Sequence, residues 1–291
     1  MRRGKWIKRS LLAVAVVLTG AAALSYWAFK GTPDYYQRPQ LSAKERSDAA
    51  NSAIQKFFGT STWANDLQAG EQRSILDGAG ATTGPATRPR QSHTVTFTEQ
   101  ELNAFFQEWS THWEPRYAER VKDPAVVLRA DRIILLGTAV ELGAIASCHF
   151  QPAINERGQL RLTLESVRAG RLPMPEVVWA AQRDRLVAAL QQRLPGWQAK
   201  ATIAANGVAN RDAVAAHMSK LLFDVLARRP REPVLFLPFE EGGRAVPVRL
   251  TAVRVTDGEL TLTVESMTPA DRAGLLERIR EPAPAVTASV Q

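Results

Sequence analysis

Four histidines, one cysteine and a few paired carboxylates are the residues of this 291-residue chain whose types could do chemistry. A metal centre needs ligands at a spacing that one helix or turn can converge. His93, His112, His149 and His217 show no HExxH-like pair. Cys148 stands beside His149, but neighbours on a strand point to opposite faces, so a thiolate–imidazole dyad is not expected. A single cysteine excludes an internal disulfide and any Cys-rich zinc or iron–sulfur site, and Cys148 reads as a buried small hydrophobe. No GxSxG, SxxK or Gly-rich phosphate cradle occurs. His217 lies beside an apolar helix stripe and reads as an edge histidine. Glu240-Glu241 precedes Gly242-Gly243 and reads as a solvated turn. Glu165 and Glu265 fall opposite Leu164 and Val264 on their strands and read as exposed. The expectation is no catalytic residue, no metal, no cofactor and no enzyme.

The elements that would hold such residues begin with a topology signal. The net charge is +8, and Arg2, Arg3, Lys5, Lys8 and Arg9 supply five of it, leaving +3 for residues 11–291. A basic stripe on a folded domain is therefore missing, and nucleic acid is not an expected partner. Leu11 to Phe29 is 19 residues without a charge, about 28 Å as a helix, which matches a bilayer's hydrocarbon thickness. Tyr26, Trp27 and Phe29 would lie at the far interface, and the preceding charges keep the N-terminus cytoplasmic. The competing reading is a signal peptide cleaved near Ala21-Ala22-Ala23. Both readings place the main domain outside the cytoplasm, and the first makes the protein a single-pass membrane protein.

Along the chain, residues 1–10 form a cytoplasmic basic segment and 11–29 the anchor. Residues 30–93 form a juxtamembrane linker with a short helix and a flexible loop. Residues 94–280 form an extracytoplasmic domain, and 281–291 a disordered tail. In the linker, Ser42 and Glu45 make a capping box ahead of a helical run that ends at Gly59. In the domain, Thr98 and Glu101 make another, with Phe97 and Leu102 as its hydrophobic staple. Alternating apolar runs predict hairpins over 126–136, 146–167 and 245–267, the last turning at Asp257-Gly258. Helices are predicted from Glu176 to the Pro195-Gly196 pair, and after an N-cap at Asn210.

The segments 158–166 (GQLRLTLES) and 258–266 (GELTLTVES) share six of nine residues. They are either convergent hairpin strands or equivalent strands of one sheet or of two related halves. The stripe of Leu102, Phe105, Phe106, Trp109 and Trp113, the stripe from Val214 to Leu226 and the run Val234 to Phe239 offer much apolar surface. Phe105, Trp109, Leu222 and Phe236 are the candidate ligand-lining residues of a groove between helices and sheet.

The order Phe97-Thr98, Glu101-Leu102, Ala104-Phe105, then 127–137 (VLRADRIILLG), Phe150-Gln151-Pro152, 155–164 (NERGQLRLTL), 170–175 (GRLPMP) and Asp257-Gly258 resembles the YpmS-like family of bacterial membrane-anchored extracytoplasmic proteins. The resemblance spans roughly residues 94–267; the 31–93 insert departs from it. It implies an extracytoplasmic domain with helices against an antiparallel sheet, and it supplies no functional residues. The expected fold class is α+β, an antiparallel sheet packed against several helices and preceded by a transmembrane helix. The expected role is binding of a lipid or other apolar ligand. The rival is an envelope scaffold that contacts a protein partner and has no ligand cavity.

Overall fold

The computed structural model describes residues 28–36, 41–76, 91–110, 120–204, 207–226, 229–240 and 244–282. The expected anchor, apart from its last two residues, lies outside them, as do all but the last two residues of the loop expected at 77–92, His112, Trp113 and most of the expected tail. Among the described residues no helix is long and apolar enough to cross a membrane.

The fold is α+β with two antiparallel sheets. Helix α1 (Ala43–Leu76) leads into strand β1 (Ser92–Thr98) and helix α2 (Glu99–Ser110). A five-strand meander follows: β2 (Val121–Arg129), β3 (Arg132–Ala139), β4 (Ala144–Ile154), β5 (Leu160–Ala169) and β6 (Leu172–Pro173). Helices α3 (Glu176–Lys200) and α4 (Arg211–Leu226) come next. The last described elements are β7 (Val234–Glu240), β8 (Arg244–Thr256), β9 (Glu259–Ser266) and α5 (Pro269–Arg280). The first sheet has the order β1-β9-β8-β7, and the second β2-β3-β4-β5-β6. The predicted hairpins are all present, turning through Asp131 (φ 59°), Gly158 (φ 68°) and Gly258 (φ 81°).

Capping explains where the helices start. Ser42 Oγ donates to Glu45 at 2.7 Å, and the backbone of Glu45 donates back to Ser42 Oγ at 3.3 Å. At α2 the amide of Thr98 donates to Glu101 at 2.8 Å, and Glu101 N donates to Thr98 Oγ1 at 3.2 Å. Asn210 Oδ1 accepts from Ala213 N at 2.9 Å, as an N-cap should.

Two predicted helix ends are corrected. Gly59 does not stop α1, which continues to Leu76 because Ala50, Ala53 and Ala64 bury completely against the domain. Small side chains let this helix lie close, and Phe57 stacks on Phe97 at 4.4 Å. The segment is thus docked on the domain. Pro195-Gly196 likewise does not end α3, which runs on to Lys200. The buried Leu194 and the packed Trp197 hold both sides of the proline in one apolar cluster, and this packing offsets the lost hydrogen bond.

That cluster joins α3, α4 and α5 around Phe223, Leu275 and Ile279. A second lies between α1 and the first sheet, around Val246, Val248 and Val264. A third binds the two sheets and α2 through Phe97, Leu102, Val126, Leu128 and Val255. The two similar segments form β5 and β9, which lie in different sheets. Each is the second strand of a hairpin with a register shift, the extra residue being Glu165 on β5 in one and Thr251 on β8 in the other.

Candidate functional site

The second sheet has an outer face built from alternate residues: Ala125 and Val127 on β2, Ile134 and Leu136 on β3, Ile145, Ser147 and His149 on β4. Ala125, Val127, Ile134 and Leu136 make a small apolar cluster, and Tyr35 and Tyr36 pack on it. These tyrosines belong to residues 28–36, which begin with the last two residues of the charge-free N-terminal stretch.

Hydrogen bonds fix this segment to the sheet. Lys30 Nζ donates to Gly143 O at 2.7 Å. Arg171 N donates to Ala28 O at 2.9 Å, its Nε donates to Thr32 O at 3.1 Å, and its guanidinium meets Asp34 at 2.8 Å. Arg129 donates to Tyr35 O at 3.1 Å. Gly170, at φ 59°, has backbone that only glycine adopts freely, and a Cβ there would collide with the carbonyl oxygens of Ala28 and Phe29.

Beneath the segment sits the most chemically loaded group of side chains. Tyr35 Oη is 2.7 Å from Ser147 Oγ and 3.1 Å from His149 Nε2. Ser147 Oγ is 3.3 Å from the same nitrogen. The Tyr35 and His149 rings meet edge to face at 5.2 Å. Burial lowers the His149 pKa, Arg168 and Arg132 push it further down, and Glu165 only partly opposes them. The ring is therefore neutral at pH 7 and can accept one of these hydrogen bonds. Adjacent Cys148 does not join in: burial raises its thiol pKa, so it stays protonated and unreactive. Glu165 is exposed, as expected, and lies 2.9 Å from Arg132.

A cavity of about 340 Å³ adjoins this group. Thr32 and Tyr36 wall it on one side; Asp123, Leu136, Gly137, Thr138 and Ile145 line the other. Asp123 adopts φ 49° where β2 bulges, so the strand bends away and leaves room. A volume of this size sits at the low end of small-molecule pockets. Its lining mixes aliphatic side chains with hydroxyls and one carboxylate, which suits an amphipathic occupant.

The residues expected to line a groove lie elsewhere. Phe105 is half-buried on α2, against Phe57 at 5.2 Å. Phe236, on β7, packs into the α3–α4–α5 cluster with its ring 4.9 Å from that of His217. Leu222 is half-buried on α4. The side chain of Trp109 lies outside the described residues. None of Phe105, Leu222 and Phe236 lines the cavity. His93 stacks on Trp63 at 5.0 Å. Among the described residues no group of three His, Cys, Asp or Glu side chains could hold a metal ion.

Sequence reasoning passed over Tyr35, Ser147 and Asp123. Ser147 and His149 share a face by the period of two, and that signal was available. Tyr35 could not be found in this way, because its partners lie 112 and 114 residues away. No family model matches the chain, and neither a curated protein nor a solved structure matches it.

Proposed function

We propose that this is a membrane-anchored extracytoplasmic domain that holds a small amphipathic ligand of lipid origin in the cavity between residues 32–36 and the second sheet. In this reading residues 11–29 form the anchor, and the domain shares its organisation with YpmS-like proteins. One observation carries the reading: the cavity lies under the segment that follows the apolar stretch, at the point where a lipid would reach the domain. Leu136 and Ile145 would meet the apolar part of the ligand. Thr32, Thr138, Tyr36 and Asp123 would meet its polar part. The volume suits a headgroup with a short apolar portion better than a two-chain lipid. This moves the expected seat from a helix–sheet groove to the outer face of the second sheet.

The test is native mass spectrometry of the full chain released from lipid nanodiscs, followed by organic extraction. A retained small-amphiphile mass that disappears in Thr138→Trp, which fills the cavity, would support the reading. A clean apo mass would sink it. The rival scaffold reading draws on the filled interface between helices and first sheet, where Phe57, Phe97 and Leu102 leave an occupant little space. It gains if the mass is clean and a protein partner crosslinks.

A further inference from the structure

Among the described residues seven large apolar side chains are substantially exposed, and Val121, Val140 and Leu142 share one end of the second sheet. Val121 is 38% exposed, Val140 42% and Leu142 41%, high values for aliphatic residues flanking a tight turn. They are held together by main-chain bonds: Val121 pairs with Ala139, and Val140 N donates to Arg120 O at 2.9 Å. Leu142 N donates to Ala139 O at 3.1 Å. The β5–β6 turn reaches the same end, because Gly170 N donates to Ile145 O at 2.7 Å. Lys30, Arg120, Lys122 and Arg171 surround the patch. Of these, Arg171 pairs with Asp34 and Arg120 lies 3.9 Å from Glu141, so the patch is apolar with acidic neighbours beside two of its four rim cations.

We infer that this end of the sheet rests in the headgroup region of the membrane, with Val121, Val140 and Leu142 inserted into its apolar edge. The inference rests on the anchor assigned above. The stretch from Leu11 to Phe29 ends one residue before Lys30, and Lys30 is bonded to the Leu142–Gly143 turn. One residue advances the chain by ~3.8 Å at most, so the turn lies within roughly 10 Å of the point where the chain leaves the bilayer. That is the depth over which interfacial segments bury apolar side chains. The anchor keeps the patch at high local concentration beside the lipid, so a few aliphatic side chains suffice. The 28–36 bonds make the contact directional, because they hold the sheet to the anchor. β4 has eleven residues, about 34 Å, so the Asn155–Gly158 turn at its far end stands well clear of the surface.

The test uses the full chain with Cys148→Ser, labelled with an environment-sensitive fluorophore at Leu142→Cys or at Arg157→Cys. The chain is reconstituted in phosphatidylcholine–phosphatidylglycerol vesicles, and Val140→Cys serves as a second probe of the patch. A quencher on the lipid acyl chain should reduce emission at 142 and 140 at least twofold and leave 157 unchanged. Aqueous iodide should do the reverse. Iodide quenching at 142 and 140 equal to that at 157 would overturn the inference. So would shielding from both quenchers, which would mean that a second copy or another protein covers the patch. Alkaline carbonate separates the two assignments. A chain that carbonate extracts refutes the anchor and this placement with it. A chain that stays in the vesicles with an iodide-open Leu142 refutes the docking alone.

Discussion

The two sheets are covered in opposite ways. The first lies under α1 and is tied to α2 and the second sheet by a continuous apolar interior from Phe57 and Phe97 to Val246, Val248 and Val264. Among the described residues, the short 28–36 segment packs on the outer face of the second, joined by hydroxyls, an imidazole and arginine bonds. Apolar packing is non-directional and strong in sum, so the first region should set stability. Hydrogen bonds are directional and modest in net energy, so the second should set orientation and access to the cavity. Folding should then rest mainly on one region and the cavity's accessibility on the other, a division that can be broken by substitutions that produce the wrong kind of loss.

The largest expected effect is in the first region and its helical neighbour. Phe97 and Phe223 are each 1% exposed. Phe97→Ala or Phe223→Ala should cost about 3–5 kcal/mol, because the site cannot collapse around the void. Chemical denaturation of the full chain in mild detergent would measure it. A loss under ~1 kcal/mol would mean that the apolar interior is not what holds the fold.

Acid should act next most strongly, and on the helical side. His217 is 1% exposed, with Nε2 3.0 Å from Val234 O. Burial, reinforced by Arg231, Lys220 and Arg278, pushes its pKa down to about 3, while the Val234 bond only partly resists. The unfolded chain binds this proton near pH 6.5 and the folded chain only near 3. Stability is therefore complete above ~6.5 and falls as the pH drops from there towards 3. The loss between pH 7 and pH 4 should be about 3 kcal/mol. His217→Phe should flatten that slope. An unchanged slope would place the acid-sensitive group elsewhere. Glu101 adds to the loss at lower pH. Burial pushes its carboxyl up, but bonds from Lys56, Ser52 and Thr98 outweigh this and hold it below the ordinary value.

Between the two regions stands Asn103, 2% exposed on α2. Its side chain accepts from Val126 N at 2.7 Å and donates to Val126 O at 2.8 Å. Glu99, one turn earlier, accepts from Leu128 N at 2.8 Å. Together they occupy the open edge of β2, which would otherwise present unpaired main-chain groups. Asn103→Ala should cost roughly 2–3 kcal/mol through the orphaned pair. It should also raise amide exchange in β2 more than in β8. Uniform exchange would show that the two sheets do not loosen separately.

Local signals in the sequence were enough for much of this fold. Ser42, Thr98 and Asn210 each mark a helix start, and Asp131, Gly158 and Gly258 each mark a hairpin, because caps and turns are decided by neighbouring residues. The helix ends at Gly59 and Pro195 were misread because buried Ala53, Ala64 and Leu194 override local propensity. Where the candidate lining residues would pack was not legible for a related reason. Phe105 and Phe236 were correctly apolar, but periodicity does not say which layer a stripe meets, and each met a filled one. The cavity depends on residues 32–36 crossing a sheet that begins only at Val121, and on a bulge at Asp123. Neither has a local signature.

The smallest effect sharpens the comparison most. Tyr35→Phe keeps the ring that packs on Ile134 and Leu136 and removes only the hydroxyl between Ser147 and His149. Those two retain each other at 3.3 Å, so neither is stranded. The expected stability loss is about 1 kcal/mol or less, far below that of Phe97→Ala. The local consequence should be larger. With the hydroxyl gone, water can reach the imidazole, and the burial that depresses its pKa weakens. Nitrogen NMR of His149 should then show titration at a higher pH than in the parent chain, while His217 stays neutral across the same range. Amide exchange should rise along 28–36 and at Ser147 but not at Val248. If Tyr35→Phe instead destabilised both sheets alike, the segment would be part of the core and the division between the two regions would fail.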